Sequence, residues 1–342
     1  MRNPVQKIVL VFIAAVWLLS DGAALAAKVK ILNVSSDLTQ GFYQDYNAAF
    51  AAYWKEKTGQ TVIIKQSCGD SSGQAQSVID GIDADIVTFD RSDDIDVLYR
   101  KSRFLEANWG SRLPNKSVPY ISTIVFVVRK GNPRDIRNWN DLIHPDITIV
   151  TPSPKTSDNG RYSYLAAWGY ALKKSGGNEK QARDFVTKLY EHVFTLDPDA
   201  DGATNTFVGE GIGDVLLTFE SQAALVQKQF PKEQFEVVLP PVSIAAENVV
   251  AWVDRFVERH NNEAVARAYL DYLYSDQGQE LAAQHFFRPG NETVLARYST
   301  RYKPLELLTV DEVAGGWQKA QQVHFSDGGI FDQIYYENQT NN

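Results

Sequence analysis

Short β-branched runs alternate with longer stretches of helical period along the chain. Residues 29–35 read as an apolar strand ending in small polar residues. Phe42, Tyr46, Phe50 and Trp54 then recur every fourth position, the stripe of a helix with one buried face. Residues 61–65 form the next strand. A loop over 68–73 leads into a helix through Val78 and Ile82, and residues 84–88 form a third strand. The order strand, helix, strand, helix, strand predicts an α/β domain with a largely parallel sheet.

A second unit begins near Pro119. Residues 123–128 are a long β-branched run, and 147–150 another strand. The loop 152–160 follows, then a helix carrying Leu165, Ala166, Trp168 and Leu172. Residues 214–218 and 235–239 are again strand-like. After Pro240-Pro241 the pattern changes, with a helix over 264–274 and further helix and loop beyond. Residues 338–342 read as a fraying tail. In α/β sheets, ligands bind beyond the carboxyl ends of the strands, and clefts between two such units are common sites for small molecules.

The N-terminus adds a destination. Arg2 and Lys7 precede an apolar run over 8–19, and Ala24-Leu25-Ala26 fits the small-residue pattern before a cleavage point. This is the layout of a secretory signal peptide over residues 1–26, and the run is shorter than the roughly 18 residues of a membrane span. The mature chain is expected to start near Ala27. A 342-residue chain less that segment suggests roughly two domains. The formal net charge of −8 argues against a nucleic-acid partner, which needs clustered Lys and Arg. Cys68 is the only cysteine, so an intramolecular disulfide and a CxxC site are both excluded.

Three loops share one design: residues 67–73, 153–160 and 197–202. Each follows a strand, carries Gly, Ser, Asn or Asp, and leads into a helix. Helix N-termini expose unpaired N–H groups and a positive dipole end. Several together make an anion site without any basic side chain, while each alone fits ordinary N-capping. The third loop also reads Asp197-x-Asp199-x-Asp201-Gly202, the first half of a calcium-binding EF-hand loop. The match ends there, since position twelve is Val208 and Glu210 comes two places late. Cys68 and the scattered histidines form no recognisable nucleophile–base pair.

The chain resembles the periplasmic sulfate- and thiosulfate-binding proteins of ABC importers. The resemblance runs from about Lys30 to about Asp332. It is strongest at 127–133 (VVRKGNP), 139–142 (WNDL), 154–157 (PKTS), 164–169 (YLAAWG), 202–207 (GATNTF) and 211–216 (GIGDVL). It implies a type II two-lobed fold with two mixed, mainly parallel sheets flanked by helices. Residues 27–118 and 246–342 would form lobe I and 119–245 lobe II. The hinge strands would cross near 118–122 and 240–246. It also implies a periplasmic monomer with no cofactor and no enzymatic activity, whose partners are a small oxyanion and a membrane permease.

Carried over position by position, Ser71 and Ser157 match hydroxyl donors. Asp158, Asn159 and Ala200 match backbone N–H donors, and Asp37 and Arg161 match supporting polar positions. Phe219 stands where the sulfate branch has a tryptophan, and it leans toward the thiosulfate branch. This chain departs from the pattern through acids. Asp70 and Asp158 replace small residues, Asp201 replaces an arginine, and Asp90 adds a carboxylate after the third strand. A carboxylate about 6 Å from a dianion costs roughly 5 kcal/mol at an effective dielectric near 20. One charge-assisted hydrogen bond returns about 1.5–3 kcal/mol. The acids must therefore point away, be protonated, or be offset by a cation; otherwise the ligand is a cation or an amine-bearing solute. A secreted hydrolase using Ser71 or Cys68 is the reading from another class.

Overall fold

The computed structural model describes residues 28–230 and 234–341. The signal peptide expected over residues 1–26 lies outside the described residues. In the first half of the molecule, β1 (Val29–Ser36) lies between β2 (Val62–Gly69) and β3 (Ile86–Phe89), parallel to both. The helix α1 (Gln40–Thr58) joins β1 to β2, and α2 (Ser71–Ile79) joins β2 to β3. The aromatic stripe of α1 is buried, with Phe42, Tyr43, Tyr46 and Phe50 nearly inaccessible. Their rings meet Tyr269 and Tyr272 from the helix Glu263–Tyr272. Gly59 ends α1 in the left-handed region, at φ 72°, which a residue with a side chain rarely adopts. A short helix α3 (Ser92–Val97) follows β3.

The second half is built on β4 (Tyr120–Arg129), β5 (Ile149–Pro152), β6 (Val193–Asp197), β7 (Val215–Phe219) and β8 (Phe235–Val238). Here β5 is parallel to both β6 and β7, while β7 and β8 run antiparallel to β4. Between β5 and β6 lies α4 (Asp158–Lys174), buried nearly all round from Asn159 to Ala171. Helices apolar on every face belong inside a protein.

One long strand, β9 (Val242–Trp252), completes the order β2-β1-β3-β9-β4-β7-β5-β6. It pairs antiparallel with β3 through Val249–Trp252 and with β4 through Tyr120–Thr123. The two halves are thus joined by a ribbon of β4 and β9. The sequence had not shown β9 as a strand.

The C-terminal segment departs from the expected division of the chain. Val310, Val313, Trp317, Phe325, Phe331 and Ile334 share a core with Phe126, Trp139, Leu165 and Leu217 of the second half. Trp317 meets Tyr162 edge-on at 4.9 Å, and Phe325 meets Tyr164 at 5.4 Å. The apolar circumference of α4 is what draws this segment over. A Cβ on Gly169 would lie 2.7 Å from Val313 Cγ2, so the glycine allows the close approach. No helix among the described residues is long and apolar enough to cross a membrane.

Candidate functional site

The carboxyl ends of β1, β2 and β3 face those of β5, β6 and β7, so the three loops singled out in the sequence come together. Contacts between the halves prove the closeness. Tyr162 Oη, on α4, donates to the Asp90 carbonyl after β3 at 2.9 Å. Arg91 Nε lies 3.0 Å from Asp158 Oδ1 at the start of α4. The second and third loops are tied by Thr156 Oγ1, which donates to the Pro198 carbonyl at 2.7 Å.

The loops are shorter than composition suggested. β2 continues through Cys68 to Gly69 and α2 begins at Ser71, so Asp70 alone connects them. Ser71 is buried, and its Oγ accepts from the Asp90 N–H at 3.0 Å. A hydroxyl that accepts there keeps its proton to donate. Ser157 stands at the N-cap of α4, is buried, and makes no capping bond with its side chain. Asp158 and Asn159 are the first two residues of α4, whose N–H groups have no carbonyl four places back within the helix. The Asn159 side chain is held by Thr218 Oγ1 at 2.9 Å, which fixes the first turn against β7. Ala200 opens the short helix α5 (Ala200–Thr204) in the same way. Phe219 closes β7, is buried, and meets Tyr162 edge-on at 5.6 Å. The site therefore presents N–H and O–H donors from both halves. The resemblance singled out each of these positions.

The acids around the cleft separate into three groups. Asp70 and Asp199 are N-caps. Each turns its carboxylate onto the helix it starts, accepting from Gly73 N at 2.8 Å and Gly202 N at 2.7 Å. Asp158 and Asp201 have side-chain donors. Asp158 lies between Arg91 and Arg161 Nη1, the latter at 3.3 Å, and Asp201 accepts from Gln222 Nε2 at 3.3 Å. Asp90 and Asp37 are pushed up from the usual carboxylate range. For Asp90 the cause is burial first and then the Asp158 charge, and Ser36 Oγ donates to it at 2.8 Å. For Asp37, which lies at the cleft surface, loss of hydration comes first; the charges of Asp201, Asp158 and Asp70 add to it.

The half EF-hand does not close on a cation. Asp197 accepts from Thr206 Oγ1 at 3.1 Å, while Asp199 and Asp201 turn to the separate partners above. Among the described residues, no group of three or more His, Cys, Asp or Glu side chains is placed to hold a metal ion. The partner of the Ser71 hydroxyl is a backbone N–H, and Cys68 Sγ lies 3.3 Å from Ser35 Oγ. Neither is a general base.

Arg91 is the residue that sequence reasoning missed. It is 3% exposed and stacks 5.2 Å from the Trp317 ring. Its Nη2 donates to Asp94 Oδ1 at 2.8 Å and to Ser72 Oγ at 2.6 Å. Burial works against its charge, yet the carboxylates of Asp158, Asp94 and Asp93 outweigh burial and hold its pKa above the ordinary arginine range. Arg161 is shifted the other way, by burial and by the nearby Arg91 charge. Arg161 Nε also donates to the Pro154 carbonyl at 3.0 Å, bracing the second loop. A cavity of about 300 Å³ lies against both arginines, lined also by Ser72, Gln76 and Gln321.

The model of the family described as bacterial extracellular solute-binding protein matches residues 38–288. A sulfate-binding protein of Salmonella typhimurium is 50% identical over 317 residues, covering 93% of this chain and 96% of the relative. A thiosulfate-binding protein of Pseudomonas aeruginosa is 47% identical, covering 95% and 97%. Among solved structures, the sulfate-binding protein SubI from Mycobacterium tuberculosis superposes with a TM-score of 0.73 at 30% identity, covering 86% of this chain and 98% of that one. A ferric binding protein from Campylobacter jejuni, at 16% identity and a TM-score of 0.59, shares the fold alone. With likeness of this extent on both sides of the cleft, the chain belongs to the bacterial extracellular solute-binding proteins, in the family of the sulfate- and thiosulfate-binding proteins.

Proposed function

We propose that this protein is the receptor of an ABC importer and encloses sulfate or thiosulfate between its two halves. The observation that carries the reading is the convergence of Ser71, Ser157 and the first N–H groups of α4 and α5 from opposite sides of one cleft. The relatives named as sulfate- and thiosulfate-binding proteins support it. No bond is made or broken. Affinity comes from donors already in place and shielded from water, and release comes from opening at the β4–β9 ribbon. In this reading the exported chain begins near Ala27, acts in the periplasm as a monomer, and hands its ligand to a membrane permease. Phe219 offers an apolar ring edge and no N–H. It suits the polarisable terminal sulfur of thiosulfate better than a fourth oxygen, since sulfur packs favourably at ring edges.

Calorimetric titration with sulfate, thiosulfate, phosphate and molybdate tests this. The expected outcome is binding of the first two, thiosulfate at least as tightly as sulfate. Absence of heat with all four anions would remove the oxyanion reading.

A further inference from the structure

Resting on that function, we propose that Arg91 is the positioning residue that lets the loop starting α4 hold an anion. Asp158 is the first residue of that helix, where its carboxylate could fold back onto the very N–H groups a ligand needs. An ionised Asp158 left there would also repel a dianion. The geometry removes both problems. Arg91 comes from the loop after β3, in the other half of the sheet, and its Nε sits 3.0 Å from Asp158 Oδ1. Arg161 sits 3.3 Å from the same oxygen. Arg161 Nη1 donates to that oxygen, but Arg161 stands in the first turn of α4 itself, so the charge brought to Asp158 from the opposite half of the sheet is that of Arg91. Arg91 is fixed by Asp94, Ser72 and the Trp317 ring, so its position does not depend on Asp158. Arg91 touches no ligand in this scheme. It acts through Asp158, drawing the carboxylate aside and offsetting its charge.

The test is a cycle of Arg91→Met, Asp158→Gly and the double variant, with Arg91→Lys beside them. Each is read by titration with thiosulfate and sulfate and by thermal melting. Removing one member of a buried pair strands the other, whereas removing both does not. Arg91→Met is therefore expected to weaken binding by about 30-fold or more. The double variant, which strands neither group, should bind to within about fivefold of Asp158→Gly, the single variant that serves as its reference. Arg91→Lys keeps the charge without the planar fork and should lose about tenfold. A purely structural arginine would lower the melting temperature and leave affinity intact. The proposal is overturned if folded Arg91→Met binds as the wild type does, or if Asp158→Gly fails to restore binding to it. If Arg91→Met does not fold, Arg91→Lys and the double variant carry the comparison, and equal weakening in both overturns the proposal. If the wild type binds neither anion, the functional reading fails separately. The pair is then read from melting of the ligand-free variants, where shifts that simply add overturn it.

Discussion

The starts of α2 and α4 carry the same two residues in opposite order. At α2, Asp70 is the N-cap and Ser71 follows; at α4, Ser157 is the N-cap and Asp158 follows. The difference of one place changes the aspartate's role. Asp70 satisfies itself locally, on the Gly73 N–H. Asp158 has lost the capping position and leans on guanidinium groups, one of them from the opposite half of the sheet. The first helix start is self-contained. The second is correct only when the two halves are together. A charge at a helix N-terminus is thus judged by its exact place: one residue separates a cap from a dependence on distant structure.

Substitutions of glycine should break this comparison most sharply. A Cβ on Gly160, in the first turn of α4, would lie 2.5 Å from the Pro152 oxygen and 2.5 Å from the Ser153 carbonyl carbon, both backbone. Gly160→Ala should cost about 3 kcal/mol or more in urea unfolding, because the first turn cannot stay where it is. At α2 the equivalent clash is softer. A Cβ on Gly73 would meet Asp70 Oδ2 at 2.4 Å, the end of a movable side chain. Gly73→Ala should cost about 1 kcal/mol, the value of the displaced cap. Equal costs would show that both starts are held alike.

Acidity should sharpen the comparison next, because the surroundings of α4 contain two groups that titrate in opposition. Burial, and then the charges of Asp158 and Asp93 against that of Arg91, leave Asp94 at about 7, from an ordinary 3.8. Between those values the folded state keeps a proton that the unfolded chain releases. Stability from this group is therefore full below 3.8 and is lost as pH rises to 7. His324, whose Nδ1 lies 3.0 Å from Tyr164 Oη on α4, is lowered by burial from 6.5 to about 4. Here the unfolded chain takes the extra proton, so stability is lost as pH falls from 6.5 to 4. Each slope is at most about 1.4 kcal/mol per pH unit. Asp94→Asn should tilt the stability–pH profile upward toward neutrality relative to the wild type. His324→Gln should tilt it the other way. Melting curves at pH 4.5, 5.5 and 6.5 read both; parallel profiles for the two variants would contradict the assignment.

The smallest effect belongs to the self-contained start. Asp70→Ala should cost about 1 kcal/mol of stability, the loss of an N-cap, and leave anion affinity within about threefold of the wild type. A large loss of affinity would mean that Asp70 also faces the ligand.

Period made the first three strands and α1 legible, since Phe42, Tyr46, Phe50 and Trp54 do line one buried face. β9 was hidden behind Pro240-Pro241 and by the small and polar residues Ala245 to Asn248, which pair with β4 without a strand-like signature. Loop boundaries were misplaced because Ser, Gly and Asp read as loop while also serving as strand ends and helix starts. The resemblance named Ser71, Ser157, Asn159 and Ala200, which all fall at helix starts. The acids signalled that they must turn away, be protonated or be offset by a cation, or that the ligand is different, and left the choice open. Nothing in spacing joins residue 91 to residue 158, because that contact exists only once the two halves of the sheet are assembled.

The ribbon of β4 and β9 has a mechanical consequence. Its ladder is reinforced from the side chains: Thr123 Oγ1 donates to the Ile244 carbonyl and Ser243 Oγ to the Ile124 carbonyl, each at 2.8 Å. Sliding one strand past the other would break the whole set, while coiling the pair together breaks none of it. In the opening proposed for this receptor, the joint would act as a torsion spring, compliant about one axis and stiff about the others. Amide hydrogens in β4 and β9 should be among the slowest to exchange with and without ligand, so that the element on which the proposed opening turns is also the last to unravel.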